Sequence, residues 1–247
     1  MKLMSLVEEV WSDKYKESID CNNPKGFSQK AHCAGKKKRN LSEVDLTNMI
    51  HTDKVKKKHK KEMKYGRTEG IFKDFDITKY TVFPPPKNES KKVKEELELL
   101  SSLPEEYDFS KKYDRIVPCF EKYIKEKGYD FSSELLEELV ESAAGIILEL
   151  KMHYNRPRPQ KIAEKLNMSI GGIKLKSAKS PSYPSGHSAQ SRLLGEYLHN
   201  ETKDKEFLTI AEKISLSRNV ARSHFVSDSK FGEKLGVDLY EYYKNKR

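Results

Sequence analysis

Residues Ser132–His153 set Leu135, Leu136, Leu139, Val140, Ala143, Ala144, Ile146, Ile147 and Leu150 along one broad helical face. An apolar stripe this wide has to be covered on most sides, so the segment predicts the central helix of a larger packed unit. Ser132 suits the N-cap and Glu134 the first turn. Pro157 and Pro159 demand a stop soon after His153, because the residue before a proline is pushed out of the helical region. Further helices are expected around it. Ser90–Ser101 carries Val93, Leu97 and Leu100 at helical spacing, and Tyr113–Lys127 ends at Gly128. Pro159–Met168 predicts a short helix. Ser185–His199 turns Leu193, Leu194, Tyr197 and Leu198 to one side, and Glu206–His224 does the same with Phe207, Ile210, Ala211, Ile214 and Ala221. The tyrosine-rich stretch Phe231–Tyr243 closes the chain. Strand signals are nearly absent, so the expected class is all-α, a compact helical bundle.

Charge divides the chain. The 247 residues carry a formal net charge of +10, yet Met1–Lys64 alone holds 16 Lys and Arg against 9 Asp and Glu. The runs Gly35–Arg39 and Lys54–Lys61 repel themselves and cannot build a core. Residues 1–70 are therefore expected to be a basic, mostly disordered extension, with short helices at Met1–Trp11 and near Ser42–Lys60. Residues 71–247 are the expected folded domain. Cys21, Cys33 and Cys119 form no disulfide framework, and Cys21, His32 and Cys33 amount to half a zinc site with no fourth ligand at ordinary spacing. No secretory segment and no apolar stretch of membrane-spanning length is present. The expectation is a soluble, cytoplasmic protein without a membrane partner. Its oligomeric state is not legible, a homodimer being one option.

Three short segments concentrate the chemistry: Lys151 followed after six residues by Arg158-Pro159, then Pro184-Ser185-Gly186-His187, then Ser217-Arg218 followed by His224 and Asp228. Arginine forks match phosphate oxygens and lysine adds a compact charge. Ser185 and Gly186 at a helix start would offer free N–H groups to an anion, and Gly186 would let the backbone come close. Two histidines could divide the labour of phosphoryl transfer, one attacking phosphorus and the other protonating the leaving oxygen. Asp228 follows His224 by four residues. On a continuous helix the two would share a face, and the carboxylate would hold one ring nitrogen as N–H. His224 is thus the expected nucleophile and His187 the expected acid. No carboxylate pair or His/Cys cluster near these segments has metal-ligand spacing, so catalysis without a metal or cofactor is expected. Arg156 is expected to be a surface or supporting cation, with structural roles for Tyr183 and His153.

These segments resemble the signature of the type 2 phosphatidic acid phosphatase superfamily, K-x6-RP, PSGH and SR-x5-H-x3-D, with every fixed position present. The superfamily includes soluble bacterial class A acid phosphatases, lipid phosphate phosphatases and vanadium haloperoxidases. The resemblance spans roughly Phe83–Tyr243 and implies that superfamily's helical fold. It implies that Lys151, Arg158 and Arg218 hold the phosphate, with Ser185 and the Gly186 backbone assisting. His187 would be the acid, His224 the residue that becomes phosphorylated, and Asp228 its orienting partner. The triple proline Pro84–Pro86 and the lack of spans favour the soluble branch, hence an acid-phosphatase-like hydrolase acting on a small soluble phosphate ester, with vanadate as an inhibitor. The alternatives are a haloperoxidase using vanadate as cofactor, and a basic nucleic-acid-binding protein with an inactive phosphatase domain.

The extension has two readings. One is a solvated tail with weak nucleic-acid contact. In the other, Met1–Glu9 is similar to capsid-targeting peptides of tailed-phage internal proteins, as is Asn23–Cys33 to N-terminal segments of marine phage proteins. That resemblance implies a phage-encoded, virion-packaged enzyme delivered to a host cell.

Overall fold

The computed structural model describes residues 18–20, 23, 29, 46–52, 57–175 and 177–247. The chain divides into two compact units, Met1–Val44 and Asp45–Arg247. The second holds all three chemical segments. Met1–Glu9, the helix expected at Met1–Trp11 and the Cys21, His32 and Cys33 set lie outside the described residues, as does nearly all of Asn23–Cys33. Among the described residues the protein is helical and contains no strand, in agreement with the all-α expectation. No described helix is long and apolar enough to cross a membrane.

In chain order the helices of the second unit are α1 Lys57–Thr68, α2 Lys91–Ser102, α3 Tyr107–Lys112, α4 Ile116–Lys127 and α5 Ser133–Tyr154. They continue with α6 Pro159–Lys165, α7 Gly186–Thr202, α8 Glu206–Val220 and α9 Val226–Lys246. Serines start three of them. Ser90, Ser132 and Ser185 accept the N–H of Val93, Leu135 and Ser188 in turn, each satisfying a donor that the first turn leaves unpaired. Gly128 ends α4 in the left-handed conformation, with φ of 70°, which a glycine adopts without steric penalty.

Helix α5 is central, as its stripe requires. Leu139, Ala143, Ile146 and Leu150 are fully buried. It packs against α1, α4 and α7, while α8 and α9 flank α7. Helix α9 lies so close to α7 that a Cβ on Gly232 would stand 2.5 Å from Ser185 O. This contact seats the N-terminus of α7, where the Pro184–His187 segment begins its helix.

Two expected helices are shorter than expected where the site needs it. The helix expected over Tyr113–Lys127 begins only at Ile116, and Tyr113–Arg115 form a break after α3 that holds Asp114. The helix expected over Glu206–His224 stops at Val220. Arg222 takes a positive φ of 52°, and its buried guanidinium donates to the carbonyls of Leu103, Pro104, Ile170 and Val220. Those carbonyls fix the turn and send the chain in a new direction before His224.

The expected boundary at residue 70 also moves. Helix α1 lies inside the segment read as extension and packs on α5. Gly66 faces Gly145 so closely that a Cβ on Gly145 would be 2.7 Å from Gly66 Cα. Arg67 Nε donates to Glu149 Oε2 at 2.5 Å and its Nη1 to Phe75 O at 2.9 Å, and Ile71 N donates to Ser142 Oγ at 3.1 Å. The lysine run hid these contacts, because glycine pairs and a single arginine leave little trace in apolar periodicity. A chain starting at Ile71 should therefore melt at least about 5 °C below one starting at Asp45, a shift on the order of 2 kcal/mol for a domain of this size. Equal melting temperatures in calorimetry would show that α1 adds nothing to the fold.

Candidate active site

Helix α5 ends at Tyr154, and the two turns around its end carry three cations inward. Lys151, Arg156 and Arg158 are 4%, 2% and 7% exposed. Burial of three cations is costly unless each finds acceptors, and each does. Lys151 Nζ donates to the carbonyls of Pro181 at 2.6 Å and Ser182 at 3.3 Å. Burial, reinforced by nearby Arg158, holds its pKa well below the usual lysine range. Arg158 donates from Nε to Ser180 O at 2.9 Å and from Nη1 to Ser223 O at 2.6 Å.

Arg158 Nη1 also lies 2.9 Å from His224 Nε2. A guanidinium has no acceptor to offer, so Nε2 must present its lone pair and the ring proton must sit on Nδ1. That nitrogen faces Asp228 Oδ2 at 3.4 Å. The His224–Asp228 pairing thus exists, but it does not come from a shared helix face. His224 stands in the turn after α8, while Asp228 is the third residue of α9 and caps that helix through Phe225 N at 2.9 Å. The turn around the cap folds the imidazole back on the carboxylate. Burial, with Arg158 beside it, keeps the His224 pKa well below the ordinary value, partly countered by Asp228.

Asp228 is the best-anchored group of the site. Its carboxylate accepts from Ser182 Oγ, from Phe225 N and, at 2.5 Å, from Arg156 Nη1. Burial alone would raise its pKa, but Arg156 and His224 outweigh burial and hold it below the usual carboxylate range. Arg156 is no surface cation. Its guanidinium lies 4.0 Å from the centre of the Phe225 ring and 3.7 Å from Glu96 Oε2. Glu96 of α2 in turn accepts from Ser227 N at 2.6 Å and Ser227 Oγ at 2.9 Å, at the start of α9.

His187 and Arg218 meet at Asp114. Arg218 Nη1 donates to Asp114 Oδ1 at 2.8 Å, and Ser177 Oγ to the same oxygen at 2.9 Å. His187 Nε2 donates to the Asp114 carbonyl oxygen at 3.1 Å. Burial and the charge of Arg218 push the His187 pKa down to about 3, against the opposing pull of Asp114.

A cavity of about 360 Å³ gathers Lys151, Arg158, Gly186, His187 and His224 in one wall system. Five of the eight expected site residues therefore face one space. Asp228 lies behind His224, and Arg218 is turned to Asp114 and does not line the cavity. Ser185 is fully buried as the α7 cap, its Oγ taken by Ser188 N and, at 2.8 Å, by Ser188 Oγ. The hydroxyl contacts continue through Ser215 Oγ to Glu233. Gly186 behaves otherwise. A Cβ there would meet nothing of the protein closer than 3.6 Å, so the glycine keeps cavity space open rather than relieving a clash. Tyr183 is stacked on Phe231 with ring centres 4.6 Å apart, and His153 is exposed, which leaves both outside the cavity. Glu96, Asp114, Ser182 and the true place of Arg156 gave no sequence signal, because each acts through a contact between distant segments. No cluster of three or more His, Cys, Asp or Glu suited to a metal occurs among the described residues.

No family model and no curated protein matches the chain. Among solved structures, it is similar to one titled "Crystal structure of the first bacterial vanadium dependant iodoperoxidase", with a TM-score of 0.43 and 16% identity over 84% of this chain. The chain spans about half of that protein, 53% of its length.

The two site histidines, His224 buried and His187 partly buried, tie stability to pH. Both have folded pKa values below the unfolded value near 6.5, so below that pH the unfolded chain binds protons that the folded chain refuses. Stability is complete above about 6.5 and falls on acidification toward the folded values, by up to about 1.4 kcal/mol per pH unit for each histidine. Asp228 adds a further loss only below its own unfolded value near 3.9. Urea unfolding at pH 7.5 and pH 5.0 should show the drop, and His187→Asn should flatten it. Equal stability at the two pH values would mean that the imidazoles are not held neutral.

Proposed function

We propose that the chain is a phosphatase that hydrolyses soluble phosphate monoesters through a phosphohistidine on His224, a reading that rests on the superfamily resemblance of its three segments together with their geometry. The observation that carries it is the state of His224. Asp228 faces Nδ1, Arg158 in the cavity wall holds the Nε2 lone pair, and burial beside Arg158 keeps the pKa well below the ordinary value. That is what an attacking imidazole requires.

The substrate phosphoryl group enters between Lys151 and Arg158, whose charges offset the negative charge on its oxygens. Arg158 then turns an N–H from Nε2 to a phosphoryl oxygen, which frees the lone pair. Nε2 attacks phosphorus, the P–O bond to the alcohol breaks, and His187 gives the leaving oxygen its proton. His187 is neutral beside Arg218, and an incoming phosphate dianion favours its charged form. In the second half, His187 takes a proton from water, the water oxygen bonds to phosphorus, and the P–N bond breaks to release phosphate and restore His224. Asp228 steadies the positive ring in between. Arg218 serves His187 through Asp114, and the Gly186 N–H and the positive end of α7 complete the anion site.

His224→Ala should lower kcat on aryl and alkyl phosphates at least about 10³-fold. His187→Asn should hurt alkyl esters far more than activated aryl esters, which leave without protonation. Vanadate should compete with substrate. Retention of ester hydrolysis by His224→Ala would overturn the nucleophile. Iodide oxidation by peroxide in the presence of vanadate, without ester hydrolysis, would favour the haloperoxidase reading instead.

A further inference from the structure

The cavity is longer than one phosphoryl group needs. Its floor follows α5 from Lys151 through Leu148 and Ile147 back to Ala144. Seven residues of helix rise about 10 Å. A volume of about 360 Å³ falls in the range of small-molecule sites, well beyond a bare phosphate. The phosphoryl end holds Lys151, Arg158, His187 and His224. The middle is apolar. Lys58 and His59 of α1 add basic groups to the wall along α5, and Lys179 of the loop before α7 adds another next to Ser180, the residue whose carbonyl Arg158 binds. Among the described residues the only carboxylate in the lining is Glu62, 3.3 Å from Lys58.

Resting on the phosphatase reading above, we propose that Lys58, His59 and Lys179 form a second anion subsite, and that the preferred substrates are small esters with a second phosphate beyond a short carbon chain. The reacting phosphate takes the deep end, the carbon chain lies on Ala144, Ile147 and Leu148, and the second phosphate meets these three basic groups. Helix α1 is held there by a close backbone contact as well as by the Arg67–Glu149 ion pair. A Cβ on Gly66 would stand 2.8 Å from Gly145 Cα, so even the smallest addition pushes α1, and Lys58 with it, away from the floor. Lys58 is 80% exposed, and its attraction for a phosphate is open to screening by salt. The role of α1 is selectivity: it touches none of the reacting groups, and it sets what lies one substrate length away from them.

Phosphonates test the subsite without turnover, because their C–P bond resists hydrolysis. Calorimetry on the full chain would compare hexane-1,6-bisphosphonate with hexylphosphonate. The wild-type protein should bind the bisphosphonate at least about tenfold more tightly at low salt, and the preference should shrink as salt rises. Lys58→Ala with Lys179→Ala should reduce the ratio of the two affinities about tenfold, and Gly66→Ala should reduce it with both lysines still present. Glu62→Gln, which removes the opposing charge, should raise it. Equal affinities in the wild type, or a ratio that none of the substitutions changes, would overturn the subsite. Hydrolysis assays on the matching phosphate esters report separately: turnover of neither ester would overturn the phosphatase reading, while the phosphonate ratio still decides the subsite.

Discussion

Asp228 is the group on which the rest of the site depends. Its carboxylate is wholly buried, which is tolerable only because Arg156, Ser182 and Phe225 N all point at it. Through those partners it ties the end of α5, the loop before α7 and the start of α9 to one point. Glu96 extends the tie to α2. Such a buried ionic chain adds little net stability, since desolvation consumes most of the attraction, yet removing one member leaves an uncompensated charge and costs about 3–5 kcal/mol. The arrangement is best understood as one that fixes geometry. His224 is held with Nδ1 3.4 Å from Asp228 and Nε2 against Arg158 in the cavity wall.

Asp114 does for His187 what Asp228 does for His224, by a different route. It sits in the break between α3 and α4, takes Arg218 and Ser177 on one carboxylate oxygen, and gives its carbonyl to His187. Arg218 is thereby a supporting residue in this arrangement rather than a wall of the cavity. Ser185 is likewise placed behind the site, as the cap that starts α7. The two networks are joined by Ser223, whose Oγ donates to Arg218 O and whose carbonyl accepts from Arg158, and by Ser185 N, which donates to Asp228 O.

The sequence made the helical class legible because helix periodicity is a local property. The stripe on Ser132–His153 and the Ser132 cap need no knowledge of the fold. The residues facing the cavity were legible for a different reason: Lys151, Arg158, His187 and His224 carry chemistry that few structural roles demand. Hidden from the sequence was everything that depends on two distant segments meeting. At Arg222 three carbonyls from distant segments and the local one of Val220 converge on one guanidinium, and the helix expected to reach His224 ends early. Helix α1 was read as part of a charged extension because its attachment is a glycine contact beneath a lysine-rich surface. Arg156, expected as a surface or supporting cation, takes the supporting role between Glu96 and Asp228, and that choice depends on segments distant in the chain.

The account stands or falls on a covalent bond between His224 Nε2 and phosphorus. Rapid quenching of the enzyme during turnover of an aryl phosphate, into base to preserve phosphoramidates, followed by peptide mass spectrometry, measures it directly. The account predicts a phosphoryl group on the peptide that contains His224, labile in acid, and absent from the His224→Ala protein. Turnover with no phosphorylated peptide, or with the label on another residue, would contradict it.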